Sequence, residues 1–303
     1  MERILVPSSD EIWINPISII KHYGEYAETT DFAKLLGQSD MECLYWLRDD
    51  FLSRAFCVCQ DKPTDSLGIG EIKKSNRFVG IRPVIKYDGR MTVLEKKIVN
   101  KTSTRNNIYQ VEYGFYPQDV ASRELEDILE SKYQNNNLSK TTNFYTIEDL
   151  NSSYSRMVSF VSKKLEEYQY KNSRFVRVEA NPYSNEVVLS NGKKYVKGDY
   201  AWVEVKPLTW YLSEAENIML CKKIILSGIP FAKEIISGPN IMAINYENST
   251  LNYYLQEYLL KEIKNSLPFK VQTESHNDID SIFEEAINRM NEINEASKVK
   301  ILK

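Results

Sequence analysis

The stretch FVGIRPVIKYDG, Phe78–Gly89, sets a glycine, an arginine and a proline between apolar residues. It reads either as a ligand site or as the closing corner of a fold. Gly80 permits a bulge or a close backbone approach. Pro83 restricts Arg82 to extended geometry. The Arg82 guanidinium is a planar fork of donors, suited to clamping a buried carboxylate or backbone carbonyls. Four consecutive residues that each tie down a strand are a structural corner.

Working outward, Thr30–Leu36 has helical spacing behind the cap candidates Thr29, Thr30 and Asp31. Cys43–Leu47 and Ala55–Cys59 read as strands, followed by the polar, glycine-bearing loop Asp61–Gly70. A polar connector spans Met91–Asn107, and Ile108–Gln118 (IYQVEYGFYPQ) alternates like a strand. Ala121–Tyr133 is a helix with Leu125, Ile128 and Leu129 on one face, and Gln134–Asn143 reads as a loop. Strands are expected at Phe175–Glu179, Glu186–Leu189, Ala201–Val205, Trp210–Leu212 and Met219–Leu226. Asn191-Gly192 marks a hairpin, because it supplies the positive φ angles of a tight turn. Leu251–Ile263 is helical and ends before Pro268. Asp280–Val299 is an amphipathic helix whose stripe of Ile282, Phe283, Ala286, Ile287, Met290 and Ile293 offers a docking or self-association surface. The expected division is an N-terminal subdomain at 1–90, a connector at 91–107, a second subdomain at 108–268, and a linker with the C-terminal helix at 269–303.

Composition narrows the function classes. Of 303 residues, 39 are basic and 42 acidic, so a broad surface for nucleic-acid backbone is not expected. No apolar run reaches the ~20 residues of a spanning helix. The start MERILVPSSDEIW lacks the basic end and apolar middle of a signal peptide, so the expectation is a cytoplasmic chain without membrane attachment. Cysteines 43, 57, 59 and 221 are too sparse for a disulfide framework and are expected as reduced thiols. The twenty tyrosines suit β-strands first and a recognition surface second.

The residues assemble no catalytic constellation. His22 and His276 each lack neighbouring ligands at metal-site spacing, and Asp278 and Asp280 read as an acidic linker. Cys57 and Cys59 would share one face of a strand, as a thiol pair or half of a soft-metal site, with core packing the leading reading. Asp49-Asp50 beside Arg48 reads as a surface ion pair. Gly68-Ile69-Gly70 lacks the third glycine and the strand–helix setting of a dinucleotide loop. No catalytic residue, metal or cofactor is therefore expected.

Tyr45-Trp46-Leu47-Arg48, the strand Ala55–Cys59, the glycine-bearing loop and Gly80-Ile81-Arg82-Pro83 together resemble the C-type-lectin-like, formylglycine-generating-enzyme-like superfamily. More closely, the chain is similar to a family common in gut Firmicutes and their phages, with a WLR strand and a G-x-R-P closure. Tyr113–Gln118 looks like that family's YGxYPQ opening, Trp202–Trp210 like its W-x-x-VEPIxW strand, and Cys221–Phe231 like its SKKIIFSGIxF turn. The resemblance covers residues 1–265. The superfamily includes an enzyme that oxidises a cysteine in sulfatases, but Cys57 and Cys59 do not match its motifs, and that activity is not transferred.

The resemblance implies an α+β, C-type-lectin-like fold of mixed sheets and short helices, followed by the C-terminal helix. It implies a non-catalytic binding protein, phage- or mobile-element-encoded, with a protein partner. Tyr45, Trp46, Arg48, Arg82, Trp202 and Trp210 are the candidate binding residues, with the loops Asp61–Gly70 and Tyr183–Asn185. Three alternatives stand beside it. One is an inhibitor of a host anti-phage defence complex. Another is a redox or metal enzyme using Cys57 and Cys59. The third is a structural virion or surface protein that forms homo-oligomers through its C-terminal helix.

Overall fold

The structure, a computed structural model, describes residues 3–14, 27–39, 44–59, 68–87, 89, 96–102, 106–148, 162–232 and 245–265. His22, Cys43, His276, most of the Asp61–Gly70 loop and the expected helix Asp280–Val299 lie outside the described residues. Residues 1–267 form one compact unit and residues 268–303 a second.

The first unit is α+β. The chain order is β1 (Ile4–Leu5), α1 (Asp31–Leu35), β2 (Tyr45–Phe51), β3 (Arg54–Cys59), β4 (Gly68–Lys73), β5 (Val84–Lys86), β6 (Lys96–Thr102) and β7 (Asn106–Val120). It continues with α2 (Arg123–Gln134), β8 (Ser139–Glu148), β9 (Ser162–Tyr170), β10 (Ser173–Glu179), β11 (Glu186–Val188), β12 (Lys194–Val196), β13 (Tyr200–Ser213) and β14 (Ile218–Cys221). Two short α-helices, α3 (Thr250–Tyr254) and α4 (Leu260–Asn265), are joined without a break by a π-helical turn at Leu255–Leu259. This continuous rod is called the strap below.

β13 organises the main sheet. One edge pairs antiparallel with β7 from Val203 to Ser213. The other edge is shared, by β10 against Tyr200–Val205 and by β14 against Trp210–Ser213. Beyond β10 lie β9 and β8; beyond β14 lie β5 and β1. Pro207 falls in the gap between the two partners, a ladder position that tolerates a missing N–H. Gln118 Nε2 donates to the carbonyls of Lys206 (3.0 Å) and Pro207 (2.8 Å), so the gap is satisfied by a side chain. Register shifts on both sides of it bend β13. Trp210–Leu212, expected as a separate strand, is thus the continuation of Ala201–Val205. Because β1 and β5 belong to this sheet, the expected subdomains at 1–90 and 108–268 are joined by it.

The FVGIRP stretch is a junction between sheets. Gly80 bridges to Tyr45 of the three-stranded sheet β2–β3–β4, through Trp46 N to Gly80 O (2.9 Å) and Gly80 N to Leu44 O (3.0 Å). A β-carbon on Gly80 would lie 2.3 Å from both Gln38 Oε1 and Ile224 Cγ2, so only glycine fits. Ile81 pairs with Leu226, and Cys221 N donates to Pro83 O (2.9 Å). The buried Arg82 donates from Nε to Cys221 O (2.9 Å) and stacks its guanidinium over the Tyr45 ring. It clamps a backbone carbonyl of β14.

Three departures from expectation concern polar strands. Gln134–Asn143 was expected as a loop, but β8 begins at Ser139. Gly68-Ile69-Gly70 opens β4, and the connector at 91–107 contains β6. These are strands at sheet edges, where polar side chains face water and the alternation that betrays a strand is weak. Ile128 of α2, expected on the buried face, is 43% exposed; the helix buries Glu126 and Leu129 instead.

Candidate functional site

The strap touches both β1 and β8, strands at two ends of the main sheet. Ser249 caps it, its hydroxyl accepting from Asn252 N (2.9 Å). At the π-helical turn Gln256 donates to the carbonyl of Ile4 on edge strand β1. Toward the opposite edge, the Tyr254 hydroxyl donates to the Thr146 carbonyl and Glu262 Oε1 accepts from Thr146 N, both on β8. The strap thus occupies edge hydrogen-bonding groups on both sides.

Its Leu251, Leu255, Leu259 and Ile263 are buried in the main core, as helical periodicity requires. Tyr254 and Glu262 lie in the same buried stripe. They meet Tyr116 of β7, whose ring touches Phe32 (centroids 5.7 Å) and Tyr145 (5.4 Å) edge-on. Tyr145 in turn donates to Glu167 Oε2 (2.8 Å). Glu167 is fully buried; it also accepts from Thr141 Oγ1 (3.0 Å) and Asn143 Nδ2 (3.3 Å) and pairs with the buried Arg174 (3.4 Å). A polar cluster therefore runs through the core from the strap to β10.

Between β8 and the strap lies a cleft of about 290 Å³, lined by Thr142–Thr146 on one wall and Glu257, Tyr258, Lys261 and Glu262 on the other. Lys261 is turned onto Glu257 (2.7 Å), and Lys164 Nζ lies 3.6 Å from the centre of the Phe144 ring. Both cations at the cleft thus have partners. Glu262 has no counter-charge: burial pushes its carboxyl up to about 8, against which the Thr146 hydrogen bonds act only partly, and Oε2 has no hydrogen-bond partner. Burial likewise raises the hydroxyls of Tyr116 and Tyr145, so both stay protonated. The arrangement offers an aromatic-walled recess holding one buried carboxyl without a counter-charge.

The residues expected to form a binding surface are placed elsewhere. Tyr45, Trp46, Arg82, Trp202 and Trp210 are at most 1% exposed, so none presents its side chain at the surface. The reason is size: large rings gain most from burial, and each indole N–H finds an acceptor. Trp46 Nε1 donates to Ile229 O (3.2 Å), Trp210 Nε1 to Tyr113 O (2.8 Å) and Trp202 Nε1 to Glu130 Oε2 (3.0 Å). Arg48 is half-buried and binds Glu11 and the Ser8 hydroxyl (3.2 Å). Of the expected loop Tyr183–Asn185, Tyr183 is 47% exposed and meets Phe78 edge-on at 4.6 Å.

Cys57 and Cys59 do share a face of β3, both beneath Gly70, where a β-carbon would lie 3.3 Å and 2.8 Å from their sulfurs. Burial pushes the Cys57 thiol up to about 12, with Cys59 adding to the rise, and burial pushes Cys221 to about 12 as well. These are the opposite of activated thiols. Among the described residues no cluster of three or more His, Cys, Asp or Glu is placed to hold a metal, and no helix is long and apolar enough to cross a membrane.

Thr142 and Asn143 fall in a polar stretch that reads as loop, so the sequence pattern does not reveal the cleft. The legible signal was Glu262, a carboxylate inside the apolar stripe of Leu251–Ile263. Comparison with known protein families, curated proteins and solved structures returned no match.

Proposed function

We propose that this chain is a non-catalytic binding protein, of the C-type-lectin-like kind its motifs resemble, and that the cleft between β8 and the strap receives its partner. The observation that carries this reading is the cleft itself. Its two walls are fixed by main-chain hydrogen bonds at Thr146, while exposed Phe144 and the side chain of Tyr258 remain at its mouth. Rigid walls with a few placed polar groups are the usual build of a recognition site. The resemblance to a phage-associated family favours a protein component of a host defence system as that partner. The raised Cys57 thiol counts against the rival reading as a cysteine enzyme.

The test is capture of partners from host lysate by tagged wild-type chain beside Phe144→Ala and Tyr258→Ala variants, with circular dichroism to verify folding. A stoichiometric partner retained by wild type and lost by both variants is expected. A partner retained equally by all three, or none retained by any, overturns the reading.

A further inference from the structure

The unmatched carboxyl of Glu262 identifies the chemistry of what enters the cleft. We propose that the cleft binds an alkylammonium or guanidinium group, with Glu262 as its counter-charge and the rings of Phe144, Tyr145 and Tyr258 as its walls. This rests on the reading of the cleft as a binding site and adds the class of ligand.

The argument starts from charge matching. A carboxyl held out of water is costly unless paired, and interiors resolve this with a counter-ion or by protonation. The elements around Glu262 present few cations to it. β7 presents Tyr116, β8 presents Tyr145 and Thr146, and the strap presents Tyr254, Glu257, Tyr258 and Lys261. Of the cations at the cleft, Lys261 is paired with Glu257 and Lys164 lies over the Phe144 ring, so each already has another partner. Arg174, the nearest buried cation of the core cluster, is committed to Glu167 behind Tyr145. Glu262 therefore has one oxygen on Thr146 N and one with no partner, in a cleft of about 290 Å³.

The walls suit the same ligand. Phe144 already accepts an ammonium, that of Lys164, over its face. Aromatic rings beside a desolvated carboxylate are the general recipe for holding an organic cation. A cleft of this size holds one long basic side chain or a small diamine rather than a nucleotide-sized cofactor. Neutral Glu262 must ionise to receive the cation: the carboxyl O–H breaks, its proton leaves to solvent, and the carboxylate takes the ligand's N–H. Binding is thus coupled to the release of one proton.

The experiment is calorimetry on the full chain with three probes between pH 6 and 9: agmatine, the blocked tripeptide acetyl-Gly-Arg-Gly-amide, and its citrulline counterpart. The blocked arginine peptide carries no group that titrates in this range, so any pH slope in its binding belongs to the protein. Affinity for a guanidinium probe is expected to rise roughly tenfold per pH unit below 8 and to level above it. Glu262→Gln keeps an acceptor for Thr146 N; it is expected to abolish the slope and to weaken binding at least about tenfold at pH 8.5. The neutral citrulline peptide is expected not to bind. Binding of agmatine assigns a free small cation, whereas binding of the arginine peptide alone assigns a basic side chain of a protein partner; both support the proposal. Equal binding of the citrulline peptide, a flat pH profile, or no binding of either guanidinium overturns it. If that happens while partner capture still depends on Phe144 and Tyr258, the cation assignment falls and the binding cleft stands.

Discussion

Gly114 lies against Ile263 so closely that a β-carbon on it would stand 2.3 Å from Ile263 Cγ2 and 2.8 Å from the Ile263 carbonyl oxygen. The contact seats α4 of the strap on the middle of β7. Gly114 also has φ +68°, where a side chain adds strain of its own. Gly114→Ala is therefore expected to destabilise the fold by at least about 2 kcal/mol, combining overpacking with backbone strain. Urea unfolding measures it; a midpoint within error of wild type would mean the strap can shift at no cost.

The ionisation of Glu262 makes stability fall with rising pH. Its carboxyl goes from 4.5 in the unfolded chain to about 8 in the fold, so between those values the folded chain holds a proton that the unfolded chain has released. The contribution is intact below 4.5 and is lost as pH climbs to about 8. The loss is on the order of a few kcal/mol. Glu130 acts in the opposite sense. Its hydrogen bonds to Arg177 lower it to about 2, so its stabilisation is present above 4.5 and fades on acidification. Denaturation midpoints from pH 3 to 9 should thus pass through a maximum in mild acid. Glu262→Gln should flatten the alkaline limb and leave the acid limb; a limb unchanged by the substitution would assign it to another group.

Glu167 and Arg174 form a pair that is costly to halve. Glu167→Gln leaves Arg174 buried and unmatched, with an expected loss of about 3–5 kcal/mol. Arg174→Met should destabilise similarly by stranding Glu167. The double substitution should recover much of the loss, because it leaves neither charge buried. A thermodynamic cycle on the four proteins reads the coupling, and strict additivity would show that the two do not act as a pair.

The thiols Cys57 and Cys221 should be slow. With both pushed to about 12, their reaction with a disulfide reagent at pH 8 is expected to lag a free thiol. The lag should be at least about a hundredfold. Timed labelling with peptide mapping follows each cysteine separately. Rapid labelling of Cys57 in the folded chain would restore the redox reading of the Cys57–Cys59 pair.

What the sequence made legible follows from where each element sits. Ala201–Val205 and Phe175–Glu179 are central strands whose apolar residues must face a core, so pattern alone located them. The strap was legible from its leucine spacing, though not its π-helical turn, which depends on tertiary contacts at Gln256. β9, SKKLEEYQY, was missed altogether, because Lys, Glu and Gln alternate with only a few apolar side chains. Pro207 sits inside one long strand, with Gln118 satisfying the carbonyls around it. The tryptophans illustrate the complementary error. Their chemistry suits recognition surfaces and cores equally, and only the fold decides between them.

The two edge contacts of the strap also set a timetable for the chain. Ile4 and Gln256, the side chain that takes its carbonyl, lie 252 residues apart, so the contact waits on synthesis of the strap. Until then both margins of the sheet present unpaired main-chain groups to the crowded surroundings of the ribosome. The sheet completes itself only once the strap has emerged. A chain that stops before residue 250 lacks the strap groups that take the main chain of Ile4 and Thr146, and is expected to expose both strands to misassociation.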